Sequence, residues 1–347
     1  MYYISENFYQ KCPIDKFFQI VYNKYRSYKY RQQSESKVNM RADGKIVKNV
    51  DPMYKLAPYF MRNRSDAQNM IKVSVPYEDI HKYVMETRKN GQKISHLAVV
   101  LAALVRTISE YNQLNRFVVN SKIYARNEIA FAMVVMRPGE ANPSMSKMKF
   151  DLYDTIFDIN DKINAFIEEN NKVTSNNSSD ELFAKILAMP AFMLRGMMAL
   201  VRFLDKHGIL PKAIIDASPF HNTLVFTNLA SIRTNYIYHH VYDFGTTSMI
   251  IAMGNNIDTP KMDKEGNFHL QKEVPFGIVM DERIATGSYY AKAFTRINEY
   301  LKNPALLENP PENVNVDYPF EGLSEKFKSE KTKKKEAQKA EKAKKNK

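Results

Sequence analysis

Residues Val274–Leu301 read VPFGIVMDERIATGSYYAKAFTRINEYL, and the succession of residue types in this stretch decides the fold. Gly277–Met280 is a short apolar run that reads as a buried strand. A polar turn follows and is closed by Gly287. Beyond it Tyr290, Ala293, Phe294, Ile297 and Leu301 recur at helical spacing and give the next segment one apolar face. Strand, tight turn and helix in that order put Asp281, Glu282, Arg283 and Thr286 at the edge of a sheet, where a turn can aim a side chain outward.

Working outward, Asn222–Ala230 reads NTLVFTNLA and Ser248–Gly254 reads SMIIAMG. Earlier in the chain Ile71–Val75 and Ile129–Val135 alternate as strands, and Pro76–Asn90 reads as a helix stopped by Gly91. Ser95 caps an apolar helix that runs to Tyr111; its density of apolar residues on nearly all faces predicts a buried central helix. Its first-turn His96 is expected to be structural. Thr155 and Asp158 form a capping box that opens a helix with an Ile156, Ile159, Ile163, Phe166 stripe. Met189–Leu204 is a Met-rich amphipathic helix ended by Gly208 and Pro211, expected to serve core packing or a subunit contact in preference to a membrane surface.

Four of these stretches resemble one family. Asp281–Gly287 (DERIATG) resembles the D-H-R-x-x-D-G motif of the dihydrolipoamide acyltransferases, the catalytic cores of 2-oxo acid dehydrogenase complexes, whose His-x-x-x-Asp-Gly part is shared by the chloramphenicol acetyltransferases. Asn222–Ala230 resembles the G-T-F-T-hydrophobic-S-N-L-G strand and turn, with Thr227 at the serine and Ala230 at the glycine. Residues 93–119, with Leu114-Asn115, resemble the family's second buried helix and Leu-Asn element, and Ser248–Gly254 its A-I-L-x-V-G strand. The likeness spans roughly Tyr54 to Asn303 in consistent order.

The resemblance implies an α/β chloramphenicol acetyltransferase-like two-layer sandwich, a mixed sheet covered by helices. It implies a homotrimer with coenzyme A and the acyl partner meeting between subunits. In the family the His is the general base and the Asp holds the loop through an ion pair; here those positions hold Glu282 and Thr286. Thr227 keeps the hydroxyl that the family directs at the tetrahedral oxyanion. Asn228, Asp281, Arg283 and Gly287 support the motifs. His239 and His240, which follow the Thr227 strand, are candidate substitutes for the missing imidazole.

Domain organisation is read as an N-terminal helical extension over 1–50, an acyltransferase-like domain over 51–305, and a Pro-containing linker with a Lys-rich tail over 306–347. Apolar residues make up 44% and charged residues 26% of 347, an ordinary globular balance. The net charge of +13 is concentrated at the end, where Leu323–Lys347 holds eleven Lys against four Glu. That tail is too poor in apolar residues to repay folding entropy and is expected to be disordered, with at most weak attraction to nucleic acid or anionic surfaces. The start of the chain shows no signal-peptide pattern, and the single Cys12 fits a reducing compartment, so a cytoplasmic protein is expected. No transmembrane segment is expected, since Met189–Leu204 is short and carries Arg195 and Arg202.

No phosphate-cradling glycine loop, serine-hydrolase elbow, lipoyl attachment motif or zinc-ligand spacing occurs. No metal is therefore expected, and coenzyme A enters as substrate. Two functional readings remain open. One is a coenzyme A-dependent acyltransferase acting on a thiol or hydroxyl with an altered base. The other is a non-catalytic trimeric binding or scaffold protein, a pseudoenzyme in which Glu282 is exposed or paired with Arg283.

Overall fold

A computed structural model describes residues 40–135, 144–171, 188 and 190–318. Within them the chain forms two sheets with helices packed on one face of the larger. The strands in chain order are β1 (Met40–Arg41), β2 (Gly44–Ile46), β3 (Gln68–Pro76), β4 (Arg116–Val119), β5 (Lys122–Arg126), β6 (Ile129–Val135), β7 (Ser144–Phe150), β8 (Leu224–Asn228), β9 (Met249–Met253), β10 (Ile257–Met262) and β11 (Phe268–Asp281). The helices are α1 (Pro52–Phe60), α2 (Tyr77–Lys89), α3 (His96–Glu110), α4 (Ile156–Asn171), α5 (Ala191–His207), α6 (Lys212–Ala217) and α7 (Gly287–Lys302).

The large sheet has seven strands in the order β10-β11-β9-β8-β6-β7, with β3 paired to β11. It is mixed: β6, β8 and β9 run parallel, while β11 is antiparallel to β3, β9 and β10. All five residues of β9 are buried, as a strand covered on both faces requires. The α/β mixed sheet covered by helices is the fold class that the motifs imply. Helix α3 is the buried central helix, capped by Ser95 Oγ accepting from the Ala98 N–H at 3.1 Å. It packs with α2, α4 and α7 over one face, where a single large apolar core gathers Leu101, Ile156, Phe226, Ile278 and Tyr290.

The opposite face carries much less. Val225, Ile250 and Val279 form a small cluster there with Ala132 and Val241. The cover is an irregular extended segment, residues 233–244, laid across the strands. Two glycines permit this close approach: a Cβ on Gly254 would lie 2.4 Å from the Tyr236 nitrogen, and one on Gly277 would lie 2.2 Å from the Ile237 carbonyl oxygen.

The small sheet has the order β1-β2-β5-β4. Its β4–β5 hairpin turns on Asn120 and Ser121, both at positive φ (49° and 55°), as a two-residue turn between twisted strands requires. This sheet corrects the domain reading at its start. Residues 40–46 pair as strands instead of extending a helical segment, and the compact unit begins at Arg41. Arg41 is held inside it by Asp43 at 2.8 Å and Asp205 at 2.5 Å. The helices expected in Met1–Asn39 lie outside the described residues.

The domain also continues past 305. Leu307 is buried, Arg116 makes a two-pronged ion pair with Asp317 at 2.7 Å on each arm, and the Asn315 N–H donates to the Ser109 carbonyl. The stretch from 306 to 318 is therefore part of the packed body and not a linker. The Lys-rich tail lies outside the described residues.

Candidate functional site

Two ends of the large sheet carry the motif residues. At one end β11 terminates in Asp281, and the turn behind it is built on a buried ion pair. The Arg283 guanidinium donates to both Asp281 oxygens at 2.8 and 2.7 Å, and its backbone N–H donates to the same carboxylate at 3.1 Å. Arg64 stands behind, with its Nε 3.6 Å from Asp281. Asp281 and Arg283 are thus structural partners, and Arg283 is not available to Glu282. Glu282 is half-buried and accepts from Asn69 Nδ2 at 2.8 Å, while its backbone N–H donates to the Ala67 carbonyl.

Thr286 explains its own presence. Its hydroxyl accepts from the Tyr289 N–H at 2.9 Å and caps α7, which begins at Gly287. The Tyr290 hydroxyl reaches back to the Asp281 carbonyl, so strand, turn and helix are closed into one unit. Replacing Thr286 with Ala removes the cap and is expected to cost about 1 kcal/mol. Urea unfolding checks this: Thr286→Ser should be neutral and Thr286→Ala should lower the midpoint.

At the other end, β8 presents Val225 and Thr227 to the lightly covered face and Phe226 and Asn228 to the helical face, as strand alternation dictates. The Thr227 side chain is half-buried, and no described residue forms a hydrogen bond with its hydroxyl. The turn after Asn228 is a short 3₁₀ helix over Leu229–Ile232, closed by Arg233 in the left-handed region at φ 55°. Ala230 sits in this turn without backbone strain, since the left-handed residue falls three positions later.

Asn228 faces a cavity of about 230 Å³ on the helical side, lined by Tyr77, His96, Val100, Met253 and Val274. Its Oδ1 is buried and without a hydrogen-bond partner. His96 shares this cavity. It stacks on Tyr77 and His81, and the His81 and His96 ring nitrogens lie 3.1 Å apart. Burial, and then the neighbouring His81, lower the His96 pKa. His96 is therefore half-buried and partnered, as its first-turn position suggests. Sequence reasoning missed its companions, although Tyr77 and His81 stand four residues apart on one helix face, a signal that spacing could have given.

Register places the two ends. Thr227 pairs with Ala252, and Ala252 with Gly277, so Glu282 lies two strands across and five residues further along. At about 4.8 Å per strand and 3.3 Å per residue, Thr227 and Glu282 of one chain are roughly 19 Å apart. A single chain does not bring them together. His239 and His240 lie between Ile237, which covers Gly277, and Val241, whose N–H donates to Gln68 Oε1 at 3.2 Å. Gln68 pairs with Asp281, so the segment leads toward the Glu282 end. The two rings stack at 5.0 Å between centroids, and His239 Nδ1 meets the His240 carbonyl at 3.0 Å. They lie on irregular chain and not on a strand.

Arg283, next to Glu282 in the turn, borders the larger cavity, about 760 Å³, between α1, α5 and the β4–β5 turn; Glu282 itself does not line it. Arg62, Arg64, Arg202, Lys206 and Arg283 line it against Asp205 and Asp243. Asp243 is tied in: it accepts from the Arg64 and Ser65 N–H groups at 2.7 and 3.0 Å and from the Ser65 hydroxyl at 2.9 Å. Asp205 is engaged by Arg41 and lies beside His221; despite burial, the His221 and Arg41 partners hold its carboxyl down at about 2. Cationic groups outnumber the carboxylates facing the cavity. Among the described residues, no group of three His, Cys, Asp or Glu could hold a metal ion.

No family model matches the chain, and no curated protein matches it. Among solved structures it is similar to a probable dihydrolipoamide acetyltransferase from Listeria monocytogenes 4b F2365, at 13% identity and TM-score 0.47, over 78% of this chain and 97% of that one. It is similar to a dihydrolipoamide acetyltransferase from Azotobacter vinelandii, at 12% identity and TM-score 0.44, over 75% of this chain and 93% of that one. It is also similar to a chloramphenicol acetyltransferase, at 10% identity and TM-score 0.45, over 75% of this chain and 100% of that one.

Proposed function

We propose that the protein transfers an acyl group from coenzyme A to a thiol or hydroxyl acceptor, at a site assembled between copies of the chain in a homotrimer. The observation that carries this reading is the state of the two motif ends. Thr227 keeps a hydroxyl that no described residue engages, and Glu282 keeps one carboxylate oxygen without a described partner, yet one chain holds them far apart. Two chains meeting end to end would supply both. In the reaction, Glu282 takes the acceptor proton, the acceptor attacks the thioester carbon, and Thr227 donates to the oxyanion; collapse expels the coenzyme A thiolate. His239 and His240 are the alternative proton acceptors on the same end. The cationic lining of the large cavity suits a phosphate-bearing acyl donor.

Titrating the full chain with acetyl-CoA and longer acyl-CoAs by calorimetry tests the reading. Saturable binding is expected, and its absence for every chain length would contradict it. The scaffold reading is favoured by a different observation: Asp281, Arg283 and Thr286 all have structural partners, so the turn is complete without a base. Saturable binding with no turnover would select that reading.

A further inference from the structure

Helix α5 meets the body through one fully buried charged residue and a half-buried apolar side. Asp205 is its buried member, gripped by Arg41 and beside His221. The remainder divides into three strips. At about 100° per residue, Leu194, Met197, Met198 and Val201 share the half-buried side toward the protein. Phe192, Met193, Leu200 and Phe203 fall together on another side, 74%, 48%, 55% and 55% exposed. Between these two sides, Arg195, Arg202 and Lys206 form a strip about 40° wide, exposed along its length, with Arg202 and Lys206 also bordering the mouth of the large cavity. None of the three pairs with a carboxylate among the described residues, and no acidic side chain of the helix is exposed. Ile209 and Ile214, in the segment and short helix that follow, are also exposed.

A helix meant only to close the domain would bury its phenylalanines. One meant only for solvent would mix both charge signs on its outer side. An outward apolar strip bordered by unpaired cations, with acids withheld, matches a helix lying in the plane of a membrane surface, its aromatic and aliphatic side chains among acyl chains and its cations at the headgroups. No helix of the described residues is long and apolar enough to cross a membrane, so a surface position is what this composition permits. The charge favours an anionic leaflet over a second copy of the chain. A copy would need acids to meet Arg195, Arg202 and Lys206, and this helix offers none outward. The eleven Lys of Leu323–Lys347 supply a second cationic signal, and stable attachment takes two. We infer that α5 docks the protein on anionic phospholipid bilayers.

The chain contains no Trp, so one introduced on the exposed strip is a clean reporter. In the full-length Phe203→Trp protein, emission should move to shorter wavelength with vesicles of phosphatidylcholine and phosphatidylglycerol. It should stay unchanged with phosphatidylcholine alone or inorganic phosphate. In co-sedimentation of the otherwise native chain, Leu200→Asp with Phe203→Asp should lower the vesicle partition coefficient at least tenfold. Both sites are exposed, so folding is not at risk, and sedimentation velocity checks the assembly. Absence of a shift with anionic vesicles would overturn the inference. Binding equal to wild type in the double variant would overturn it by assigning the attraction to the tail. Loss of oligomer in the double variant with vesicle binding unchanged would overturn it by making the strip a subunit contact.

Discussion

Asp281→Asn is expected to lower stability by about 3–5 kcal/mol. The substitution keeps shape and removes charge, and it leaves the Arg283 and Arg64 guanidinium groups buried around a neutral amide. Breaking a buried pair in this way costs more than the pair is worth, because the remaining charge has no solvent to return to. The Arg283 donors to the Met61 and Arg62 carbonyls then carry the side chain alone, and the turn between β11 and α7 loosens. A fall in melting temperature of about 10 °C follows for a body of this size. Glu282→Gln, one residue away and half-buried, should change stability by less than about 1 kcal/mol. A melting temperature for Asp281→Asn within about 2 °C of wild type would refute the structural role given to this residue.

Thr227→Val is expected to lower acyl transfer by about 10²–10³ with stability little changed. Valine matches threonine in shape and deletes only the hydroxyl, which has no described partner to lose. Thr227→Ser should restore the rate, because the donor returns while the methyl is lost. Steady-state rates with saturating acyl-CoA separate this from a binding effect: the loss should fall on kcat with KM nearly constant, as for an interaction made in the transition state alone. Loss of activity in both variants would show that the methyl packing matters and the hydroxyl does not.

Much of this was legible because local chemistry and the tertiary fold agree. Ser95, Thr155 and Thr286 all stand at helix starts, where their hydroxyls have N–H groups to satisfy. The β8, β9 and β11 cores are apolar because both faces are covered, and such runs announce themselves. The boundaries were less legible. Residues 40–46 pair as strands against the β4–β5 hairpin, far along the chain, and Arg41 there meets Asp43 and Asp205, the latter 164 residues away; no local pattern carries that information. Asp317 likewise holds the chain end to Arg116 across 201 residues. The Met-rich helix has an amphipathic pattern that does not say which side is buried; the structure turns two phenylalanines outward. Asp281 and Arg283 look like parts of a catalytic motif, yet their geometry is that of a closed ion pair. The roughly 19 Å between Thr227 and Glu282 follows from strand register, which neither motif contains.

That separation makes assembly between copies the central claim, and mixing variants tests it most directly. Thr227→Val and Glu282→Gln chains should each be nearly inactive when purified alone. Co-expressed and assembled together, they should form sites in which one chain supplies Thr227 and its neighbour Glu282. Random assembly of a cyclic oligomer then restores about a quarter of the wild-type rate. A mixture no more active than either variant alone, from a wild-type protein that does turn over acyl-CoA, would contradict a site shared between chains.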